Sequence, residues 1–327
     1  MSELEIPTTT APARGSEPAP RGEDAPRGEA LRGDGPRAAE PARSKDRSPA
    51  ALAWRRFWSN LGARFALILL ALIFLAVFLG PLVFGLDPDA QDLKASLTGP
   101  SAAHPLGTDL LGRDELARLF AGGQVSLLVG LATAASALAL GTLIGVVAGM
   151  AGGVVDSVLM RITDVFMAIP SILVVIVAGG ILGPSIPLLV GLIAAFAWPT
   201  SARIARSVVL SVRELDYVQA SVAAGTRTPT VMMRHLLPAV IPQVTVSGAM
   251  LVSVAILTEA ALSFLGLGVV PPQASWGNML QSAQSYTILT EKPWLWLSPG
   301  IAIVLTSLSV IFIGDGLRDA LDPKESR

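Results

Sequence analysis

The chain has 327 residues, 52% of them hydrophobic and only 15% charged, with a formal net charge of -1. This is too apolar and too sparsely charged for an ordinary soluble domain, and without a basic stripe outside the N-terminal tail it excludes a nucleic-acid partner. Cysteine is absent, which removes disulfides, thiolate nucleophiles and zinc-thiolate sites together.

Residues 1–50 mix Pro, Gly, Ala, Arg and acidic residues with hardly an apolar side chain to bury, the composition of a disordered tail. The first apolar stretch begins only after Arg64, too late for a cleavable signal peptide, so it is expected to remain as a membrane anchor. A helix needs about 20 apolar residues to cross the hydrocarbon core, and on that measure the first span runs from Phe65 to Phe84. A polar segment covers Asp87 to Gln124, and a second span rich in small residues covers Val125 to Met150. The uncharged stretch from Val165 to Ala202 is too long for one helix, and the cluster Gly183-Pro184-Ser185-Ile186-Pro187 divides it into spans three and four. After a polar segment from Arg203 to Leu237, a fifth span covers Ala239 to Gly266, a loop reaches Pro293, and a sixth covers Trp294 to Gly314.

The expectation is an all-α integral membrane protein of six transmembrane helices, with its lipid bilayer as solvent and both termini on one side. It divides into a tail (1–50), a first helix with an outer loop (51–124), and a five-helix core (125–327) carrying the polar loop 203–238. Placing the N-terminus inside puts 20 of the 24 Lys and Arg residues in cytoplasmic segments, leaving only Lys94, Arg113, Arg118 and Lys292 outside. Trp54 and Trp58 at one end, and Trp294 and Trp296 at the other, suit the interfacial belts.

Gly141, Gly145 and Gly149 repeat every four residues and line one face of span two, where another helix can approach closely, either within this chain or across a subunit interface. Pro170 and Pro199 each remove a backbone donor and are expected to bend spans three and four. Glu259 is the one acidic residue deep in a span. Because an intramembrane charge costs on the order of 3 kcal/mol, it must face protein or water, as part of a translocation path or as a structural group paired with polar neighbours.

The equipment of an intramembrane enzyme is missing. There is no His-Glu-x-x-His, no Gly-x-Ser-x-Gly, and no lysine within a span to activate a serine. His104 and His235 are predicted on opposite sides, so they cannot share a metal. Asp87, Asp89 and Asp92 lack the Gly and terminal Glu of a calcium loop and read as solvated. No catalytic or metal site is therefore expected.

The segment between spans four and five is long and amphipathic. Leu215, Val218 and Val222 recur at helical spacing while Arg213, Glu214, Asp216 and Gln219 face elsewhere, and Gly225 suits a helix end. Such a helix either docks a partner or lies on lipid headgroups. Gln219-Ala220-Ser221, three residues, Gly225, nine residues and His235-Leu236-Leu237-Pro238 reproduce the spacing of a signature loop. That loop resembles the one in permease subunits of bacterial ABC importers, where Glu-Ala-Ala, three residues, Gly, nine residues and Ile-x-Leu-Pro form a short helix that fits a cleft on the ATP-binding subunit.

The chain is similar to the second permease of dipeptide and oligopeptide systems also in His104 to Asp109, Gly112 to Asp114, Glu259 to Gly268, Ser275 to Met279 and Gly314 to Pro323. It departs from the loop pattern at Gln219, Ser221 and His235, and the first of these loses the charge of the usual Glu.

This resemblance implies a type I ABC importer permease fold in the bacterial inner membrane, with cytoplasmic termini. It implies coupling to ATPase subunits through Leu215, Gln219, Ala220, Ser221, Gly225, Leu237 and Pro238. The implied partners are a second permease in a heterodimer, two ATP-binding subunits and an extracytoplasmic substrate-binding protein. The only lysines are Lys45, Lys94, Lys292 and Lys324, none after Gly, so this chain has no phosphate-binding loop. No cofactor is expected here, and ATP and Mg belong to the partner subunits.

Asp109, Arg113, Asp114, Trp276 and Asn278 are expected where a binding protein would arrive, either to receive it or to plug the outer mouth. The expected cargo is a di- or oligopeptide, with nickel import as the alternative within the class and a secondary carrier as the alternative outside it.

Overall fold

A computed structural model describes residues 49–321; the tail expected over 1–50 lies outside the described residues except for Pro49 and Ala50, which already belong to a helix. That helix, α1 (Pro49–Ser59), leads into α2 (Leu61–Phe84). Asn60 separates them by turning its side chain back to accept from the Ala63 amide at 3.1 Å, an N-cap that satisfies one orphan donor of the new helix. Its Nδ2 also donates to Asp319 at 3.2 Å, tying the start of α2 to the end of the chain. Gly85 closes α2 in the left-handed region.

The second crossing, α3 (Glu115–Ala151), begins ten residues before the Val125 expected from hydropathy. Asp114 caps it by accepting from the Ala117 amide at 2.8 Å. The charges of Glu115 and Arg118, which made this turn look like loop, are buried against residues 109–113 and not set in lipid. The outer loop therefore ends at Asp114 and not at Gln124.

The third crossing is a broken one. Among the described residues five helices are long and apolar enough to span a membrane, and α4 (Gly153–Ala168) with α5 (Ser171–Leu182), bent by 76° at their junction, makes a sixth when the pair is counted as one span. Ile169 is extended (φ -88, ψ 127), as expected for a residue whose successor is Pro170. The expected bend is thus a full break. At Pro199 the opposite holds: α6 (Ile186–Val212) continues through it without interruption.

Helix α6 also absorbs residues 203–212, so the polar connection shrinks to 213–227 with a short helix α7 (Asp216–Ala223) inside it. Basic residues inside α6 are paired: Arg206 holds Asp156 with two bonds of 2.5 and 2.6 Å, and Arg203 meets Asp164 at 2.5 Å. A turn α8 (Thr228–Val231), a π-helical turn (Met232–Leu236) and α9 (Leu237–Phe264) follow as one 37-residue helical run. The π turn falls just before Pro238, whose missing N–H breaks the regular ladder there; Leu237 donates instead to Met232, five residues back. Two short helices, α10 (Trp276–Leu280) and α11 (Tyr286–Glu291), precede the last crossing, α12 (Trp294–Leu321).

Helix α3 is the spine of the bundle. Its glycine stripe faces α6 of the same chain, which decides between the two readings of that stripe: a Cβ at Gly141 would meet Trp198 O at 2.5 Å, and one at Gly149 would meet Val209 Cγ1 at 2.7 Å. On its other sides α3 packs Leu127 into a core with Val77, Ile256, Trp276 and Ile303. The alternation of crossings leaves 213–227 at one end of the bundle, the coupling end, and 85–114 with 265–293 at the other, the loop end.

Candidate functional site

At the coupling end, Arg213 fastens the C-terminus of α6 to the end of α3 by donating from Nη1 to Gly149 O at 2.8 Å. Leu215 is extended at the N-cap, and α7 then stands off the bundle on one buried residue, Val218. The expected apolar face is therefore only partly used within the chain: Leu215 and Val222 stay 45% and 49% exposed, and Tyr217 joins them at 53%. Ala220 and Gly225 are exposed as well.

Helix α7 ends in a Schellman motif, with the Gly225 amide bonded to Val222 O at 2.9 Å and the Thr226 amide to Ser221 O at 3.2 Å. This geometry needs a left-handed residue, and Gly225 has φ +80 with open space around it, so glycine is required there by backbone conformation and not by crowding. Ser221, standing at the position of a usual Ala, adds a bond of its hydroxyl to Thr226 Oγ1 at 3.1 Å. Gln219 folds back on Glu214 at 3.3 Å, and His235 packs edge-on to Tyr217 at 5.7 Å. Leu237 and Pro238 stand at the root of α9, so the two halves of the signature lie on either side of the 226–236 connection.

At the loop end the motif residues are bonded to their own loops and to α3. Asp109 accepts from the amides of Leu111 and Arg113 and from Arg113 Nε at 2.7 Å. Asp114 caps α3 and faces His104 Nδ1 at 2.9 Å. Trp276 is 1% exposed and donates from its indole to Leu119 O at 2.9 Å. Asn278 is a capping-box partner of Ser275, and its Nδ2 also donates to Gln273 O at 2.7 Å. Asp109, Arg113, Asp114, Trp276 and Asn278 thus hold the fold of the loops, and Asp109, Arg113 and Asn278 also line a half-open cavity of 360 Å³ at this end. The outward-facing groups of the first of these loops include Leu110 and Leu111.

Glu259 is fully buried and accepts from Ser126 Oγ at 2.8 Å and from Ser263 Oγ at 2.7 Å. Ser126 in turn accepts from the Trp276 amide at 3.2 Å, and Ser263 from the Val269 amide at 2.9 Å. One carboxyl thereby joins α3, α9 and the 268–280 loop. Fully buried in this chain, it acts as a structural hub that joins these elements. Neither serine carries any signal in the sequence. The same is true of the Asp156–Arg206 and Asp164–Arg203 pairs, whose partners lie 50 and 39 residues apart.

The chain is thus a helical bundle of up to six crossings, with folded loops at one end and a small helix with exposed apolar neighbours at the other. Among the described residues no group of three or more His, Cys, Asp or Glu is placed to hold a metal. The class this defines is the membrane-spanning permease.

Residues 141–327 match the family of binding-protein-dependent transport system inner membrane components, and residues 48–100 match the N-terminal transmembrane domain of oligopeptide transport permease C. A peptide permease protein of Brucella suis is 43% identical over 276 residues, covering 84% of this chain and 91% of its own length. A peptide transport system permease protein of Brucella abortus is 38% identical over 278 residues (85% and 93%). The glutathione transport system permease protein GsiD of Pectobacterium atrosepticum is 37% identical over 282 residues (83% and 91%). The chain belongs to the binding-protein-dependent transport family of inner membrane components. It is a multi-pass inner-membrane permease subunit of an ABC importer and not itself an enzyme; ATP hydrolysis lies in partner subunits.

Proposed function

We propose that this subunit forms half of the pathway of a di- or oligopeptide importer, paired with a second, related permease. Two ATP-binding subunits carry ATP and Mg, and an extracytoplasmic binding protein delivers the cargo. The peptide class is supported by the names of the Brucella relatives and by the match over residues 48–100. Both termini are cytoplasmic, in keeping with the distribution of Lys and Arg.

The observation that carries the coupling reading is α7, with Leu215, Tyr217 and Val222 exposed around a helix whose one buried residue is Val218. An apolar helix end held off the bundle suits insertion into a cleft on another protein. Closure of the ATPase pair around ATP would move α7, and the anchor from Arg213 to Gly149 would pass that motion to α6 and α3 together.

The test is ATP-dependent peptide uptake in vesicles holding the complete importer. Gly225→Asn, which tolerates the left-handed conformation, is expected to retain most uptake, while Gly225→Val is expected to lose at least tenfold with the complex still inserted. Equal uptake by both variants would remove α7 as the coupling element.

A further inference from the structure

Midway along the bundle, α5, α6 and α9 enclose a half-open cavity of 450 Å³. Nine of its fourteen lining side chains are apolar, and the polar ones are hydroxyls alone: Ser171, Thr200, Ser201, Ser247 and Thr258. No Lys, Arg, Asp or Glu reaches it. Its depth follows from helix lengths. Thr200 lies fourteen residues from the start of α6, about 21 Å at 1.5 Å per residue, which is the middle of a 40 Å helix.

Three features make one corner of this cavity a site. The first is the α4–α5 break, which ends in Pro170 and starts a new helix at Ser171 with no side-chain cap. The twelve residues of α5 are too few to cross a bilayer alone; where α4 and α5 share one crossing, the positive N-terminal end of α5 stands within the membrane thickness. The second is Ser201, which is 3% exposed and has no hydrogen-bond partner among the described residues, yet lines the cavity. Its hydroxyl is not among the described polar atoms that are fully enclosed without a partner, so it reaches the cavity space and keeps a donor free for an occupant there. The third is that Ser247 and Thr258 are already bonded to Val244 O and Val254 O, so the unspent donors gather on the side of Ser171, Thr200 and Ser201.

Half-helix N-termini exposed by a break in a spanning helix are a recurrent way to meet an anionic group at membrane depth. We propose that this corner is a carboxylate subsite, and that it takes the C-terminal carboxylate of a peptide in transit. This inference rests on the peptide-import reading. The cavity has no acid to hold the ammonium end, so it reads one terminus only, and its apolar lining accepts side chains without regard to charge pairing. A helix terminus and neutral hydroxyls bind a carboxylate more weakly than an arginine would, which suits a site that must release its occupant. Ser201 is also safe to vary: its Cβ packs on Gly141, and alanine keeps that carbon.

The experiment uses vesicles holding the complete importer and compares initial uptake of tri-alanine with that of its C-terminal amide, each normalised to the fraction of binding protein it loads. Co-purification of all subunits checks assembly. The expected result is that the wild type prefers the acid over the amide and that Ser201→Ala reduces acid uptake about tenfold, the loss of one charge-assisted hydrogen bond. The acid-to-amide ratio then falls toward one. A ratio that stays at the wild-type value in Ser201→Ala, or an equal loss of both forms, overturns the subsite while leaving peptide import standing. A wild-type complex that imports neither form removes the import reading and the subsite with it.

Discussion

Substituting Gly145 by Ala adds one carbon at a tight contact of α3 with α6, and its cost can be worked from the coordinates. The new Cβ would stand 2.3 Å from Ala202 O and 2.7 Å from Ala205 Cβ. A carbon and a carbonyl oxygen need about 3.3 Å, so α3 and α6 must part by roughly 1 Å at this level. Both obstacles belong to the backbone or to a residue with no rotamer to change, so no side chain can yield. A gap of that size forfeits a quarter to a half of each dispersion contact beside it, and the cost falls at the upper end for overpacking, about 3 kcal/mol. Gly191→Ala on α6 is the matched control, because nothing stands within 4 Å of its added carbon; there the better helix propensity of Ala makes the change neutral or slightly stabilising.

Thermal unfolding of the purified chain in detergent, followed by size exclusion, reads the difference. Taking 2–4 °C per kcal/mol for a domain of this size, Gly145→Ala is expected to lower the midpoint by about 6–12 °C and Gly191→Ala to leave it within about 2 °C. Equal midpoints for the two variants would refute the assignment of the glycine stripe to an internal helix contact, and the stripe would then belong to a subunit interface.

Two further expectations concern buried polar groups. Glu259→Gln keeps an acceptor for one serine while the other hydroxyl can rotate, and should cost about 1 kcal/mol in the same unfolding assay, whereas Glu259→Leu strands Ser126 and Ser263 and should cost about 3 kcal/mol. Indistinguishable variants would mean that the hub bears no load. For Asp156 and Arg206, whose side chains are 15% and 32% exposed, a double-mutant cycle with Asp156→Asn and Arg206→Gln should give a coupling of about 1 kcal/mol after allowing for solvent screening. A coupling near zero would show that the Asp156–Arg206 pair does not help to hold α4 to α6.

How much of this was legible in the sequence depends on whether a residue advertises its partner. The apolar runs from Leu61 to Phe84 and from Trp294 onward announce crossings by length alone, and Gly225 announces a helix end because few other residues accept φ +80. Glu115, Arg118, Arg203 and Arg206 misled the boundaries of α3 and α6, since hydropathy counts a charge as exposed and has no knowledge of Asp109, Asp156 or Asp164 folded against it. The residues between Asp109 and Asn278 were found by their motifs, but a motif does not say which way a side chain turns. Asp109 accepts from amides two and four residues away and stands 3.7 Å from Arg118, contacts that its motif does not announce. Ser126 and Ser201 were invisible, because a serine in an apolar helix looks the same whether its hydroxyl is bonded back to its own turn, to a distant carboxyl or to nothing.

The helical run from Thr228 to Phe264 begins beside the α7 connection and ends just beyond the Glu259 hub. At 37 residues it is about 55 Å long. If it tilts as a single rod by 5° about its midpoint, simple trigonometry carries each end by about 2.4 Å, in opposite directions. The mouth that α9 borders at one face of the membrane and the mouth it borders at the other are then two ends of a see-saw, and opening one while closing the other needs no signal to pass between them.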